Sequence, residues 1–213
     1  MQLYSFFNSS TSYRVRIALA LKGLPYDYVP INIRDGEQRA PAYLGRVNAS
    51  PAVPALVDGT LEIGQSLAII DYLDHAYPVP RLIPEDAVRR ARVLELSNAI
   101  ACDIHPVNNL RVLRYLQEVL HVSPEQKSAW YRHWVDEGLQ AVERLFESYG
   151  SGPWCFGDAP TLADCCLVPQ IANAHRMGCD TSAFPRAMAI YAYASAEFAF
   201  RQAAPERQPD YAA

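Results

Sequence analysis

Four hydroxyl-bearing residues in succession, Ser9, Ser10, Thr11 and Ser12, stand between a short apolar and aromatic run, Leu3 to Phe7, and a helical pattern of Val15, Ile17, Ala18, Leu19 and Leu21. A hydroxyl cluster in that place opens a helix, where free N–H groups and the positive end of the dipole converge on an anion. The turn contains no cysteine, so it cannot exchange disulfides, but it can hold and ionise a thiol that arrives with a ligand. An unperturbed thiol has a pKa of about 8.5, and each unit of lowering takes about 1.4 kcal/mol of preference for thiolate. A hydrogen bond to a charged acceptor contributes about 1.5–3 kcal/mol and a helix N-terminus up to about 2 kcal/mol. Together they suffice to make thiolate the major form at neutral pH.

Alone, the cluster reads as an N-cap with solvated neighbours; two further features shift the balance. Asn48-Ala49-Ser50-Pro51-Ala52-Val53-Pro54 ends in a Val-Pro bond just before a strand. A cis bond there would turn the N–H and C=O of Val53 toward a peptide-like ligand, which would pair as an edge strand. Gln65-Ser66 then starts another helix, a second N–H-rich terminus suited to a carboxylate. Glutathione, the abundant intracellular thiol tripeptide, suits all three features.

The elements that must position these residues alternate between strand and helix in the first part of the chain. Strands are expected at Leu3–Phe7, Tyr26–Ile33, Pro54–Val57 and Leu61–Ile63, the last two joined at the turn-forming pair Asp58-Gly59. Helices are expected from the serine cluster to Lys22-Gly23 and from Gln65-Ser66 to Tyr77. The order β-α-β-(α)-β-β-α is that of a thioredoxin-like α/β domain, assigned to residues 1–78. The redox members of that fold carry a cysteine pair where this chain carries hydroxyls.

Tyr77-Pro78-Val79-Pro80-Arg81-Leu82-Ile83-Pro84 is too proline-rich for helix or central strand, so residues 79–86 read as a linker. From 87 to 213 the periodicity is purely helical, giving an all-α second domain. Val93, Leu96, Ile100, Ile104, Val107, Leu110 and Leu113 predict one long helix kinked by Pro106. Ser123-Pro124-Glu125-Gln126 and Thr161-Leu162-Ala163-Asp164 are capping boxes that open two more helices.

Composition excludes other classes. The chain has 213 residues, half of them hydrophobic and 20% charged, enough for a sizeable core. The net charge is −4 with no run of five like charges, which speaks against nucleic-acid or anionic-membrane partners. The N-terminus lacks a basic n-region, and the best apolar stretch, Leu167–Ala174, is short and broken by Pro169 and Gln170, so neither secretion nor a membrane span is expected. The expectation is a cytoplasmic protein. The five cysteines, Cys102, Cys155, Cys165, Cys166 and Cys179, form no CxxC pair and read as reduced core residues, without disulfide or metal site.

Ser9-Ser10-Thr11-Ser12-Tyr13-Arg14-Val15-Arg16-Ile17-Ala18-Leu19 resembles the Ser-Ser-Cys-x-x-Arg-Val-Arg-Ile-Ala-Leu signature of zeta-class glutathione transferases, a class that includes maleylacetoacetate and maleylpyruvate isomerases. The resemblance continues through Asn48–Pro54, Gln65–Leu73, Thr161–Asp164 and Val168–Ala174, and so covers essentially the whole chain. It implies a homodimer with glutathione as co-substrate, contacted by Ser9, Ser10, Thr11, Val53, Gln65 and Ser66. It adds His105, Asn109 and Arg111 from the second domain, and Arg39 where relatives often carry a glutamine. Arg176 matches a family arginine that holds a substrate carboxylate. Two departures stand out: Thr11 replaces the family's cysteine, and His105 and Arg111 replace neutral polar residues of some relatives.

The implied activity is glutathione-dependent cis–trans isomerisation of a maleyl-type diketo acid, a small dianion, by reversible thiolate addition. Ser9, Ser10, Thr11 and Arg176 are its catalytic candidates. Arg176 and Arg111 suit the two carboxylates, and His105 an oxygen on which negative charge develops. The extra cation at Arg111 favours maleylpyruvate over maleylacetoacetate. A general glutathione transferase or peroxidase acting on apolar electrophiles is the alternative enzyme. A non-catalytic interaction module is the third reading, and its expected mark, loss of the serine turn, is missing. Plain structural roles stand beside these: a solvated face for Arg111, a cap at the proline for His105, a C-terminal helix cation for Arg176, and for Arg14 an ion pair with Asp71.

Overall fold

The computed structural model describes residues 1–211. The chain divides into two compact units: Met1–Ile83 together with the segment that begins at Ser195, and Pro84–Ala194. The first unit opens with β1 (Gln2–Ser5), α1 (Ser10–Leu21) and β2 (Asp27–Pro30), continues through a 3₁₀ turn (Glu37–Arg39) and α2 (Pro41–Arg46), and closes with β3 (Ala55–Asp58), β4 (Leu61–Gly64) and α3 (Ser66–Ala76). The sheet order is β2-β1-β3-β4, with β1 parallel to β2 and antiparallel to β3, so the thioredoxin-like order read from the sequence is the observed one. Leu3 of β1 faces Leu56 of β3 in register, and both are fully buried with Val15, Ile17 and Leu19 of α1.

A buried guanidinium ties this unit to its own C-terminal segment. Arg16 donates from Nε to the Ala203 carbonyl at 2.9 Å, from Nη1 to Ser5 Oγ and the Phe6 carbonyl at 3.1 and 3.2 Å, and from Nη2 to the Phe7 carbonyl at 3.0 Å. Burial pulls its pKa below the usual arginine value. Further along the same segment, Asp210 accepts the Phe7 N–H at 3.0 Å and the Tyr28 hydroxyl at 2.6 Å, and the Tyr211 ring stands edge-on to Phe7. These bonds explain why the terminal segment packs with the first unit, although the helical periodicity after residue 87 assigned it to the second.

The proline-rich stretch is likewise fastened. Lys22 and Asp74 form a buried ion pair at 2.7 Å; Lys22 also donates to the carbonyls of Tyr77 and Pro80, and Asp74 accepts the N–H groups of Leu82 and Ile83. Every lone pair and proton of the pair is used, the condition under which a buried ion pair is tolerable.

The second unit contains α4 (Ala87–Asn98), α5 (Leu110–Glu118), α6 (Pro124–Tyr149), α7 (Leu162–Arg176) and α8 (Pro185–Ala196), the last running into α9 (Phe198–Ala203) of the first unit. Both capping boxes form, Ser123 with Gln126 and Thr161 with Asp164. Asp164 also accepts the Cys155 N–H, and burial raises its pKa from the usual aspartate value. Glu143 of α6 takes the N–H groups of Arg186 and Ala187 and so caps α8. The long kinked helix expected around Pro106 does not form. α4 widens into a π turn at Ala99–Ile104, a 3₁₀ turn follows at Pro106–Asn108, and Asn109 caps a new helix. Proline lacks the N–H that the ladder needs and its ring crowds the carbonyl four residues back, so the chain stops and restarts. Cys155, Cys165 and Cys166 are buried free thiols, whereas Cys102 is exposed and Cys179 half-buried, so these two are not core residues.

The π turn lies close against α6. A Cβ added at Gly138 would collide with Ile104 Cγ1. Helix propensity alone favours Gly138→Ala by about 1 kcal/mol. We expect the opposite sign, a loss of about 1–3 kcal/mol from overpacking, in urea unfolding. In an Ile104→Ala background the same substitution should be neutral or stabilising.

Candidate active site

The serine turn is built as a relay. Ser9 is the N-cap of α1 and its Oγ accepts the Ser12 N–H at 3.2 Å. Ser9 Oγ lies 2.9 Å from Thr11 Oγ1, which donates to the Val53 carbonyl at 3.0 Å. A hydroxyl has one proton. Because that of Thr11 goes to Val53, Ser9 must donate to Thr11, and the bonds run from the Ser12 N–H through Ser9 and Thr11 to Val53. Ser9 and Ser10 are buried and Thr11 is half-buried, so Thr11 is the outermost member. Of the three hydroxyl candidates Ser9, Ser10 and Thr11, Ser9 has its proton already engaged, and Thr11, the residue that departs from the family pattern, connects the helix start to Val53. The Val53–Pro54 bond is cis, a state that the sequence by itself left open.

α3 begins at Ser66 after Gln65, whose φ of 67° and ψ of 115° lie where side-chain-bearing residues are rarely found. No side chain caps this helix and no acidic residue occupies its first turn. Gln65 is exposed and Ser66 buried. Arg14, on the second turn of α1, donates from Nη1 to Ser66 Oγ at 3.4 Å, which joins the openings of α1 and α3. The ion pair expected between Arg14 and Asp71 is not formed; Asp71 stands 3.8 Å from His75. Arg39 ends the 3₁₀ turn Glu37–Arg39 and is exposed.

The remaining candidates lie in the second unit. His105 follows the π turn and is half-buried. Asn109 uses its carboxamide oxygen on the Val112 N–H at 3.1 Å to cap α5, a helix-starting role that leaves only its amide protons for a ligand. Arg111, in the first turn of α5, is exposed. Arg176 closes α7, exposed, and donates to Asn173 Oδ1. Close to Arg176 lies Tyr131, which sequence reasoning missed: burial pushes the pKa of its hydroxyl up to about 12, and the Arg176 charge opposes that rise. Its place on α6 among other aromatic residues carried no signal of proximity to α7.

Residues 1–75 match the family model of the glutathione S-transferase N-terminal domain. The chain is 50% identical to the maleylacetoacetate isomerase of Pseudomonas aeruginosa, over 99% of this chain and 98% of that protein. A holo structure of a maleylpyruvate isomerase, described as a bacterial zeta-class glutathione S-transferase, superposes with a TM-score of 0.96 at 43% identity, covering all of both chains. The chain belongs to the zeta class of the glutathione transferase family. A third family member, the maleylacetoacetate isomerase of Anaeromyxobacter dehalogenans solved with glutathione in its active site, is 39% identical with a TM-score of 0.87, over 98% of this chain and 96% of that one.

The relay makes unequal demands on its two hydroxyls. Ser9→Ala removes the cap of α1 and should cost about 1 kcal/mol, whereas Thr11→Val leaves the cap intact and should cost less. Chemical unfolding of the two variants measures the difference, and the reverse order would contradict the bonding described.

Proposed function

We propose that the protein is a glutathione-dependent cis–trans isomerase of a maleyl-type diketo acid, with maleylpyruvate as its substrate and maleylacetoacetate as the longer homologue it also accepts. The observation that carries the reading is the hydroxyl relay at the start of α1, which places polar hydrogens and a helix N-terminus together without a thiol of its own. When bound, glutathione would supply a thiolate nucleophile for reversible addition to the double bond beside a ketone, with the displaced electron pair held on the ketone oxygen and returned when the thiolate is expelled.

The chain's own residues bind and orient. Ser9, Ser10 and Thr11 hold the sulfur in its ionised form, with Thr11 turning its proton outward from Val53. Val53 pairs with the tripeptide backbone, Gln65 and Ser66 take a carboxylate at the α3 N-terminus, and Arg39 adds a peripheral cation. From the second unit, Arg176 and Arg111 take the two substrate carboxylates, the former prearranged by Asn173. His105 hydrogen-bonds the ketone oxygen as it gains negative charge, and the amide protons of Asn109 complete the glutathione contacts. The cations balance a dianion without making the protein basic. Among the described residues no helix is long and apolar enough to cross a membrane, and the buried free thiols suit a reducing compartment. The working form in this reading is a cytoplasmic homodimer.

The decisive assay follows the enol absorbance of maleylpyruvate with the protein in the presence and absence of glutathione. Loss of signal only with the tripeptide is expected; a change independent of it would sink the proposal. Arg176→Ala should lower kcat/KM for the dianion about 10- to 100-fold while glutathione affinity measured by calorimetry stays unchanged, and an equal loss for both ligands would remove the assigned role. Thr11→Val should raise the pKa of the bound thiol in an ultraviolet thiolate titration.

A further inference from the structure

Two arginines two residues apart on α1 meet opposite fates. Arg16 has carbonyl and hydroxyl acceptors for each of its nitrogens. Arg14 is 1% exposed, yet its Nε and Nη2 have no hydrogen-bond partner, and its single bond is the 3.4 Å contact from Nη1 to Ser66 Oγ. A buried charge without a counter-charge is among the costliest features that a folded chain can carry. This one lies behind the N-terminus of α3, an 11-residue helix with no side-chain cap and no acid in its first turn, entered through Gln65 at positive φ.

We infer that Arg14 is a positioning residue for a carboxylate of the bound tripeptide: its charge, relayed through Ser66, completes an anion site at the start of α3. The inference rests on the glutathione reading. Ser66 Oγ accepts from Arg14, so its own proton is directed to another acceptor. A carboxylate at the helix start would take that proton and the first-turn N–H groups, one side chain away from the guanidinium. Arg14 acts across Ser66 rather than by contact, because Nε and Nη2 have no exposed surface. In the low-dielectric interior the missing counter-charge is then supplied by the ligand. The free protein holds the cation at a cost to its stability, and ligand binding relieves that cost.

The test uses the purified full chain with three ligands: glutathione, γ-aminobutyryl-cysteinylglycine, which lacks the γ-glutamyl carboxylate, and the glycyl ethyl ester of glutathione, which lacks the other. Affinities come from calorimetry and stabilities from thermal unfolding of the ligand-free protein. The wild type should bind one of the two analogues about 10- to 100-fold more weakly than glutathione through this site. In Arg14→Met that discrimination should collapse, and the ligand-free Tm should equal or exceed that of the wild type. Arg14→Lys should keep most of the discrimination. Arg14→Met with undiminished discrimination would overturn the inference, as would an equal loss of affinity for all three ligands with a lowered Tm, the mark of a purely structural arginine. Should Arg14→Met fail to fold, Ser66→Ala decides instead: it should abolish the same discrimination, and its failure to do so counts against the relay. A wild type that binds none of the three ligands would defeat the glutathione reading itself.

Discussion

The arrangement of the first unit depends on a cation placed inside it. Arg16 reaches carbonyls and a hydroxyl from the end of β1, the loop after it and the C-terminal segment, and no apolar side chain could join those three parts in the same way. A planar guanidinium offers five donors in a fixed fork, so it fixes direction as well as distance. The loop it holds, Phe6 to Ser9, leads directly into the serine turn, and Asp210 secures the same loop through the Phe7 N–H. The hydroxyls at the start of α1 are therefore placed by residues close to the other end of the chain.

Two helix starts emerge from this scaffold with different chemistry. At α1 the N–H groups are partly satisfied by Ser9, and the adjoining hydroxyls form a directed chain to Val53. At α3 nothing caps the helix, and a buried cation stands behind it. One terminus is suited to a soft anion that needs hydroxyl donors, the other to a carboxylate that needs charge. A thiol tripeptide carries both kinds of group, and the family to which the chain belongs includes members solved with that ligand.

The second unit spends its polar groups on defining helix starts. Glu143, Asp164, Ser123, Thr161 and Asn109 all bind N–H groups at helix openings. The break at Pro106, with a π turn before it and a fresh cap after it, sets His105, Asn109 and Arg111 on successive short elements rather than along one helix face. Just before that break Ile104 lies against Gly138 of α6.

Sequence alone was enough for whatever is decided locally. The strand and helix order, both capping boxes, the cap at the serine cluster and the separation into an α/β part and a helical part are written in short-range patterns, because a cap or a turn is settled by residues three or four positions apart. What the sequence could not decide are matters of long range. The partners of Arg16 lie up to 187 residues away, the return of the C-terminal segment to the first unit leaves no periodic trace, and Arg14 and Arg16 look alike in one dimension although one has an acceptor at every nitrogen and the other does not. Nor does a run of hydroxyls say in which direction its protons point: only the Val53 carbonyl, brought 42 positions back to Thr11, fixes that. Local free-energy differences select the elements, and the tertiary structure decides which polar groups find partners and which are left waiting for a ligand.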